Sequence, residues 1–269
     1  MMDCKRALEE AGGDMDKAGE ILRAKGIARA EKRTDRSASQ GLIVIEAAAD
    51  RRSAAMIELD CETDFVARTE DFIALARDLA THAARQGPQG VHPGSDLDGQ
   101  PFRRETVGEV VKEMSGKTGE AMALKRAARF TTTTGVIGSY LHFNGQTGVL
   151  VELQGGSGEA VESLAREIAL HIASADPIGV GEADIPAGHI DRERRIAEEQ
   201  VAAEGKPENI RAKIVDGKIR KFVAERTLLG QPFVKDDSKS VGQLVQEASE
   251  AAGAALTIAR FARFKVGES

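Results

Sequence analysis

Two stretches of the chain share one pattern, and this internal repeat limits the folds that the sequence can adopt. Residues 41–59 and residues 135–153 each contain two apolar runs separated by a turn, and an amphipathic helical pattern follows each stretch. The turn of the second copy is Asn144-Gly145, a dipeptide that strongly indicates a β-hairpin between apolar runs. Each helix can cover one face of its hairpin. The sequence therefore predicts an α+β fold with a core of two related strand–strand–helix subdomains.

The two copies differ in the connection between the second strand and the helix. Gly41 pairs with Gly135, 94 residues later, whereas His82 pairs with His171, 89 residues later. The first copy therefore carries five additional residues, which fall within residues 61–71. The two histidines occupy equivalent helical positions, which indicates a shared packing role.

The additional residues are expected to form a loop before the helix, and their composition is unusual for a surface loop. Thr63-Asp64-Phe65-Val66 places an aromatic ring beside carboxylates in a chain that has few aromatic residues. The second copy connects strand and helix with Gln154-Gly-Gly-Ser-Gly158, so the fold does not require this chemistry, and the longer connection is a functional candidate. Phe65 is either a buried anchor of its own segment or a side chain that enters another protein. Asp64 is alternatively a helix N-cap or an ordinary acidic residue of the loop.

Composition disfavours several classes of protein. The net charge of -6 and the pI of about 5.6 disfavour a surface built to hold nucleic acid, although residues 29–36 and 260–265 are locally basic. The histidines are scattered and the two cysteines form no metal spacing, so we expect no enzyme, no cofactor and no metal site. Cys61 is not expected to act as a nucleophile, because no base can be identified beside it. No apolar run approaches the roughly 20 residues of a membrane helix, and the first residues lack a signal-peptide core, which predicts a cytoplasmic protein.

The segments outside the two copies of the repeat are predicted to form short helices, a linker and a helical hairpin. Residues 1–30 contain two short helical patterns that bury too little surface to be stable alone. Either a further helix is expected before Met1, or the two helices lean on another part of the protein. Residues 29–40 indicate a solvated linker. Residues 189–229 predict a charged antiparallel helical hairpin, interrupted at Gly205-Lys206-Pro207.

Local patterns predict the remaining segments. We expect a Gly/Pro loop at residues 86–101 and helices at residues 105–114 and 119–128. A helix is predicted at residues 240–251. An edge strand at residues 259–266 is expected to complete the second sheet.

Seven short motifs, spread in order along the chain, carry a family resemblance. They are Met1-Met-Asp-Cys-Lys-Arg-Ala-Leu8, Thr63-Asp-Phe-Val66, Gly138-Ser-Tyr140, His171-Ile-Ala173, Gly205-Lys-Pro207, Gly230-Gln-Pro-Phe-Val234 and Phe264-Lys-Val-Gly267. Together they resemble bacterial translation elongation factor Ts over essentially the whole chain. The resemblance implies a guanine nucleotide exchange factor for elongation factor Tu.

The resemblance also implies a domain organisation. It places a ubiquitin-associated-like helical domain, without its first helix, at residues 1–36 and a first core subdomain, which carries the Thr-Asp-Phe-Val connection, at residues 37–128. A second core subdomain covers residues 129–188 and 230–269, and the helical hairpin is inserted at residues 189–229. Family members usually carry another helix before the Met-Met motif, and many carry a short module after the Val-Gly-Glu end.

The principal partner contact of the family falls on the additional residues of the first copy. Its Asp-Phe pair corresponds to Asp64 and Phe65, flanked by Thr63 and Val66. The resemblance implies that this pair enters the GTPase domain of elongation factor Tu near its magnesium and phosphate site and dislodges the metal.

Secondary contacts are implied elsewhere. The family's Met-Met pair corresponds to Met1 and Met2, which are expected to contact the same domain of the partner. A single ring cannot supply the whole exchange effect, so we expect a broad second contact within residues 136–175. His142 and His171 are the candidates in that range.

The predicted partner is elongation factor Tu, in its GDP-bound and nucleotide-free states. No membrane and no direct nucleic-acid partner is expected, and self-association through the core or the helical hairpin is left open. The alternative function is a non-catalytic ubiquitin-associated-like adaptor for protein interactions. That alternative explains the first residues but not the repeat and its unequal connections.

Overall fold

The computed structural model describes residues 2–31, 36–186, 188–204 and 207–268, except for the side chains of Ile27, Arg29 and Glu31. Within these residues the chain forms helices and antiparallel sheets, which confirms the mixed helix-and-sheet class. No helix among them is long and apolar enough to cross a bilayer. Met1, residues 32–35 of the predicted linker and the predicted break at Gly205-Lys206 lie outside the described residues.

The α-helices are α1 (Met2–Glu10), α2 (Met15–Glu31), α3 (Asp64–Ala67), α4 (Glu70–Gln86), α5 (Val107–Thr118), α6 (Glu159–Ala175), α7 (His189–Ala203), α8 (Glu208–Arg226) and α9 (Val241–Ala252). The strands are β1 (Gln40–Ala47), β2 (Ser53–Cys61), β3 (Gly90–Pro93), β4 (Pro101–Phe102), β5 (Glu105–Thr106), β6 (Met122–Thr131), β7 (Gly135–Leu141), β8 (Thr147–Gln154), β9 (Pro232–Phe233), β10 (Asp236–Ser240) and β11 (Thr257–Lys265). Unit 1 comprises Met1–Thr131, Leu141–Gly148 and Phe264–Ser269, and unit 2 comprises Thr132–Tyr140 and Val149–Arg263.

Unit 1 is built on an antiparallel sheet in the order β1-β2-β6-β3. Both edges of β2 are paired, and its residues are buried from Ala54 to Cys61. One face of β2 packs with α4 and α5, and the opposite face carries Glu58 and Asp60. The core of this unit includes Ala55, Ile57, Leu59, Cys61, Phe72, Leu75, Leu79, Leu97 and Val107.

Unit 2 contains a sheet in the order β11-β8-β7. The edge strand predicted at residues 259–266 is confirmed, because β11 lies at the edge of this sheet beside β8. The core of this unit joins the sheet to α6 and α9 and includes Val136, Val149, Val151, Leu153, Leu164, Ile168, Ile172, Phe233, Val241 and Ile258.

Both hairpins of the repeat contain a glycine near their start for the same steric reason. A Cβ atom on Gly41 would lie 2.3 Å from the carbonyl oxygen of Leu59, and one on Gly135 would lie 1.9 Å from that of Leu153. Any side chain would push the paired strands apart at these points.

The helix predicted at residues 119–128 is wrong, because β6 begins at Met122. Its sequence is rich in Ala, Leu, Lys and Arg, which favour helix in isolation. Pairing with β2 on one side and with β3 on the other overrides that preference. The predicted loop at residues 86–101 likewise contains β3, whose pairing depends on β6.

The repeat extends further than predicted, through a second shared motif. Gln100-Pro101-Phe102 lies in unit 1 and Gln231-Pro232-Phe233 lies in unit 2. His82 Nε2 donates to the side-chain oxygen of the first Gln at 2.9 Å, and His171 Nε2 donates to that of the second at 3.0 Å. Each Phe ring lies near the same imidazole, with centroid distances of 5.3 and 6.0 Å. The shared packing role predicted for the two histidines is confirmed.

After these motifs, both units continue with a short strand pair, a capped helix and a final strand. Thr106 caps α5 and Ser240 caps α9, each in a capping box with the residue three positions later. The final strand pairs with the second strand of its hairpin, β6 with β2 and β11 with β8. In the chain order of unit 2, α7 and α8 take the place that β3 has in unit 1.

The structure contains both helices that residues 189–229 predict. Ala197 and Val201 of α7 form a small apolar cluster with Val215 and Ile219 of α8. This cluster is separate from the core of unit 2, so the two helices stabilise each other.

Of the two short helices at the start of the chain, α2 packs on α5, and α1 packs on α2. Gly26 of α2 and Gly116 of α5 lie backbone to backbone, since a Cβ atom on Gly116 would be 2.7 Å from the carbonyl carbon of Gly26. Arg23 pairs with Glu105 at 3.0 Å and with Glu113 at 3.2 Å. The sequence predicted that these helices are too small to be stable alone, and α5 provides the missing surface.

We expect Gly116→Ala to loosen α2 from α5, because the added methyl group collides with the backbone of Gly26. The overpacking should cost about 1–3 kcal/mol. Hydrogen exchange of the α2 amides should accelerate in this variant. Gly19→Ala is the matched control: a Cβ atom there meets nothing within 4 Å, and the exchange should be slowed or unchanged. Equal exchange in both variants would contradict the close crossing.

Candidate functional site

The connection between β2 and α4 is a short capped helix rather than the loop that the sequence predicts. Thr63 has extended backbone geometry (φ -125°, ψ 152°), and its Oγ1 accepts a hydrogen bond from Val66 N at 3.4 Å. A hydroxyl at this position satisfies an N–H that the first helical turn leaves without a partner. The alternative in which Asp64 is the N-cap is wrong, because Thr63 occupies that position and Asp64 is the first helical residue.

The residues of α3 divide between the protein interior and its surface. Ala67 is buried, and Val66 packs against the core of unit 1. Phe65 is 80% exposed. The alternative in which Phe65 anchors its own segment is therefore wrong. An exposed ring of this size leaves apolar area that another molecule can cover.

Asp64 lies beside this ring at the start of α3. Its side chain is 46% exposed, and its Oδ2 lies 3.0 Å from Arg68 Nη2, one helical turn later. Such exposed pairs contribute little to stability. The carboxylate can therefore exchange this partner for another at small cost.

Thr63 is fixed by a second segment of unit 1. Thr63 N donates to Glu120 Oε2 at 3.0 Å, and Thr63 Oγ1 donates to Glu120 Oε1 at 2.6 Å. In the reverse direction, Ala121 N donates to Glu62 Oε1 at 2.7 Å. No local pattern in the sequence marks Glu120, because its partner is 57 residues away in the chain.

Cys61 ends β2 directly before this turn. Its Sγ is buried and lies 3.1 Å from the carbonyl oxygen of Thr63. Burial, together with the nearby charge of Glu120, raises the pKa of the thiol to about 12, so little thiolate forms at neutral pH. Across the described part of the chain, no three His, Cys, Asp or Glu side chains are grouped to hold a metal ion.

Two buried carboxylates precede the turn on β2. Glu58 is fully buried and accepts from Arg126 Nε at 2.5 Å, while Asp60 Oδ2 lies 3.7 Å from Lys125 Nζ. Burial, followed by repulsion from Glu58, raises the pKa of Asp60 to about 7, although Lys125 and Arg126 oppose the shift. Asp60 is therefore partly protonated at neutral pH.

A second exposed aromatic side chain lies at the turn between β7 and β8. Phe143 is 94% exposed, and its ring centroid lies 4.5 Å from that of His142. The turn is held in unit 1, because Ile43 N donates to Gly145 O at 2.7 Å. The sequence predicted His142 but not Phe143. The sequence does contain a signal for the exposure of Phe143, because this residue directly precedes Asn144-Gly145. A side chain at a hairpin turn has few neighbours to cover it.

The other predicted contacts lie in different surroundings. Met2 is exposed on α1, and Met1 lies outside the described residues. His171 is 1% exposed; besides its bond to Gln231, its Nδ1 accepts from Val234 N at 3.1 Å. Burial lowers the pKa of His171, which favours the neutral form that these two bonds require. The structure thus gives His171 an internal role and no surface for direct contact with a partner.

Comparison with known proteins identifies the family. A family model described as elongation factor TS matches residues 62–268, which include α3, Glu120 and the turn with Phe143. The chain is 42% identical over 268 residues to an elongation factor Ts from Prosthecochloris aestuarii, covering 99% of the chain and 93% of that protein. It is 43% identical over 273 residues to an elongation factor Ts from Aquifex aeolicus, and this match covers 99% of the chain and 92% of that protein.

The chain belongs to the elongation factor Ts family. The resemblance that the seven motifs indicated is confirmed. So is the role that it implied for the chain, a nucleotide exchange factor in translation elongation.

We expect Asp60→Asn to stabilise this elongation factor Ts family member, and more at pH 8 than at pH 5. The folded-state pKa of Asp60 lies above the ordinary value of 3.8, so its contribution to stability is fully present below that pH and is lost as the pH rises through about 7. The neutral amide avoids the cost of burying a charge, which should be worth on the order of 2 kcal/mol at pH 8.

Denaturant unfolding of the parent and the variant at both pH values measures this difference. Asp50→Asn, in the exposed turn between β1 and β2, is the control and should show no such pH dependence. An effect of Asp60→Asn that is equal at pH 5 and pH 8 would contradict the assigned protonation.

Proposed function

We propose that this protein binds elongation factor Tu in its GDP-bound and nucleotide-free states and speeds the release of GDP. The turn Thr63-Asp64-Phe65-Val66 enters the GTPase domain of that partner beside its magnesium and phosphate site. The observation that carries this proposal is the exposed Phe65 ring on a capped helix.

Phe65 acts as an apolar wedge. Burying such a ring in a partner is worth about 1.5–3 kcal/mol. The backbone beneath it is already ordered, through the bonds of Thr63 at one end and the burial of Ala67 at the other. Because little ordering is needed on binding, most of this free energy remains available to displace segments of the partner that support its metal.

Asp64 supplies negative charge beside the wedge. A GTPase holds GDP through backbone N–H groups and a Mg²⁺ ion that bridges phosphate oxygens to protein ligands. A carboxylate brought next to this site competes for hydrogen-bond donors and repels the phosphates. It shifts the local structure without having to ligate the metal itself.

Exchange follows from differential binding and needs no chemical reaction by this chain. A factor that binds the nucleotide-free partner more tightly than the GDP-bound partner weakens GDP binding by the same ratio. One ring supplies roughly a tenfold to hundredfold effect. A larger ratio requires further contacts from the same protein.

The turn between β7 and β8 is the second contact. Phe143 and His142 are presented there by unit 1, the unit that also carries α3. Both α3 and this turn contact β1, the turn through the bond between Ile43 and Gly145. The two aromatic side chains therefore approach a partner from one supporting strand.

The finer domain organisation is part of the same proposal. The helices α1 and α2 belong to a ubiquitin-associated-like domain over residues 1–36. Residues 37–128 form the first core subdomain, residues 129–188 and 230–269 form the second, and α7 with α8 form the hairpin inserted at residues 189–229. The chain acts in the cytoplasm, where its proposed partner carries out translation.

Phe65→Ala should slow the maximal rate of GDP release from elongation factor Tu roughly tenfold or more, since the wedge is lost. Much of the binding should remain, because the second contact is intact. Stopped-flow release of fluorescent GDP, measured over a range of factor concentrations, separates the maximal rate from the half-saturating concentration. Val91→Ala truncates an exposed apolar side chain on β3 and should match the parent. Release by Phe65→Ala at the parent rate would refute the wedge.

Phe143→Ala should raise the half-saturating concentration about tenfold and change the maximal rate little, because it removes binding area away from the nucleotide site. The same assay reports both quantities. Titration of the nucleotide-free partner provides an independent affinity. An unchanged half-saturating concentration would exclude the turn between β7 and β8 as the second contact.

A further inference from the structure

Glu120 holds Thr63 with both of its carboxylate oxygens. One oxygen accepts the backbone N–H of Thr63 at 3.0 Å and the other accepts its hydroxyl at 2.6 Å. Hydrogen bonds to an ionised acceptor are stronger than those between neutral groups. The pair fixes both the main chain and the side chain of the residue that begins α3.

The hydroxyl bond sets the direction of the helix cap. Because Thr63 Oγ1 gives its hydrogen to Glu120, a lone pair of the same oxygen is left to accept from Val66 N. The helix α3 has four residues, too few to be stable without outside support. Phe65 is the second of these residues, so its position depends on the cap that Glu120 orients.

Glu120 is itself held in place. Gly119 ends α5 in the left-handed conformation (φ 84°), which turns the chain toward the start of α3. Ser115 Oγ then donates to the carbonyl oxygen of Glu120 at 2.5 Å, and Glu120 N donates to Thr118 Oγ1 at 3.4 Å. The carboxylate therefore extends from a fixed backbone.

Unit 2 builds the same frame without this contact. Gly253 ends α9 in the left-handed conformation, as Gly119 ends α5, and the next residue is Ala254. The helix that follows the hairpin of unit 2, α6, has Gly158 as its N-cap residue, which makes no side-chain cap bond. The carboxylate and the threonine occur together in the unit that also exposes an aromatic ring at this connection.

We propose, on the basis of the function proposed for the turn at residues 63–66, that Glu120 is a positioning residue for nucleotide exchange. It acts through Thr63 to hold Phe65 in the orientation that enters the partner. It does not contact the nucleotide or the metal.

A double-mutant cycle on GDP release from elongation factor Tu tests this role. Glu120→Ala should lower the release rate about fivefold to tenfold in the parent and less than about twofold in the Phe65→Ala background, because the two residues act as one unit. Glu120→Gln keeps an acceptor for the hydroxyl and should give an intermediate rate. Glu109→Ala removes a carboxylate that instead caps α5, and should leave the rate unchanged.

A second measurement needs no partner. 4-Fluorophenylalanine placed at position 65 reports the surroundings of the ring through its ¹⁹F resonance in the free, full-length protein. Glu120→Ala should shift or broaden this resonance, whereas Glu109→Ala should leave it unchanged. Circular dichroism of each variant establishes that it is folded.

The outcomes separate this inference from the proposed function. Equal rate losses for Glu120→Ala in both backgrounds, or an unchanged ¹⁹F resonance, would overturn the positioning role and leave the wedge intact. Parent-like release by Phe65→Ala would overturn the wedge and, with it, any role of Glu120 in exchange. If Glu120→Ala lowers the rate only in the parent, where Phe65 is present, and also changes the ¹⁹F resonance, both the wedge and the positioning role are supported.

Discussion

The pairing of β2 along both of its edges is the constraint on which the rest of unit 1 depends. Its backbone groups are satisfied by β1 and β6, so the strand can be buried from Ala54 to Cys61. Burial on both faces encloses Glu58 and Asp60, which are tolerated because Arg126, Lys125 and protonation offset their charge. A strand held in this way ends at a fixed point, and the turn with Phe65 begins there.

The two units show how one frame can carry different surfaces. Both use a hairpin, a helix with a buried histidine, a Gln-Pro-Phe motif, a capped helix and a final strand. Unit 2 joins its hairpin to its helix with glycine and serine, whereas unit 1 inserts α3 at this point. Unit 2 forms this frame without such an insertion, so the frame does not require the exposed ring of Phe65. The support of α3 comes from Glu120, outside the insertion.

Much of this protein follows from the sequence alone. Periodicity and turn residues predicted both hairpins, the helices α4 and α6 and the edge strand β11, because alternation and helical spacing are properties of neighbouring residues. The unequal connections of the repeat were enough to identify Thr63-Asp64-Phe65-Val66 as the candidate site. The motifs identified the family. Where local signals were misleading, as in β6, a composition that favours helix was overridden by strands distant in the chain.

The tertiary structure decided which side chains are available. Phe65 in the sequence is equally a core residue and an exposed one, and the packing of its neighbours Val66 and Ala67 settled that the ring faces outward. His171 was a candidate for a partner contact as well as for a packing role, and it lies inside, bonded to Gln231. Glu120 could not be found from the sequence, because hydrogen bonds between residues far apart in the chain leave no local pattern. The sequence by itself determined the elements, the repeat and the family; only the fold, by bringing distant segments together, decided burial and support.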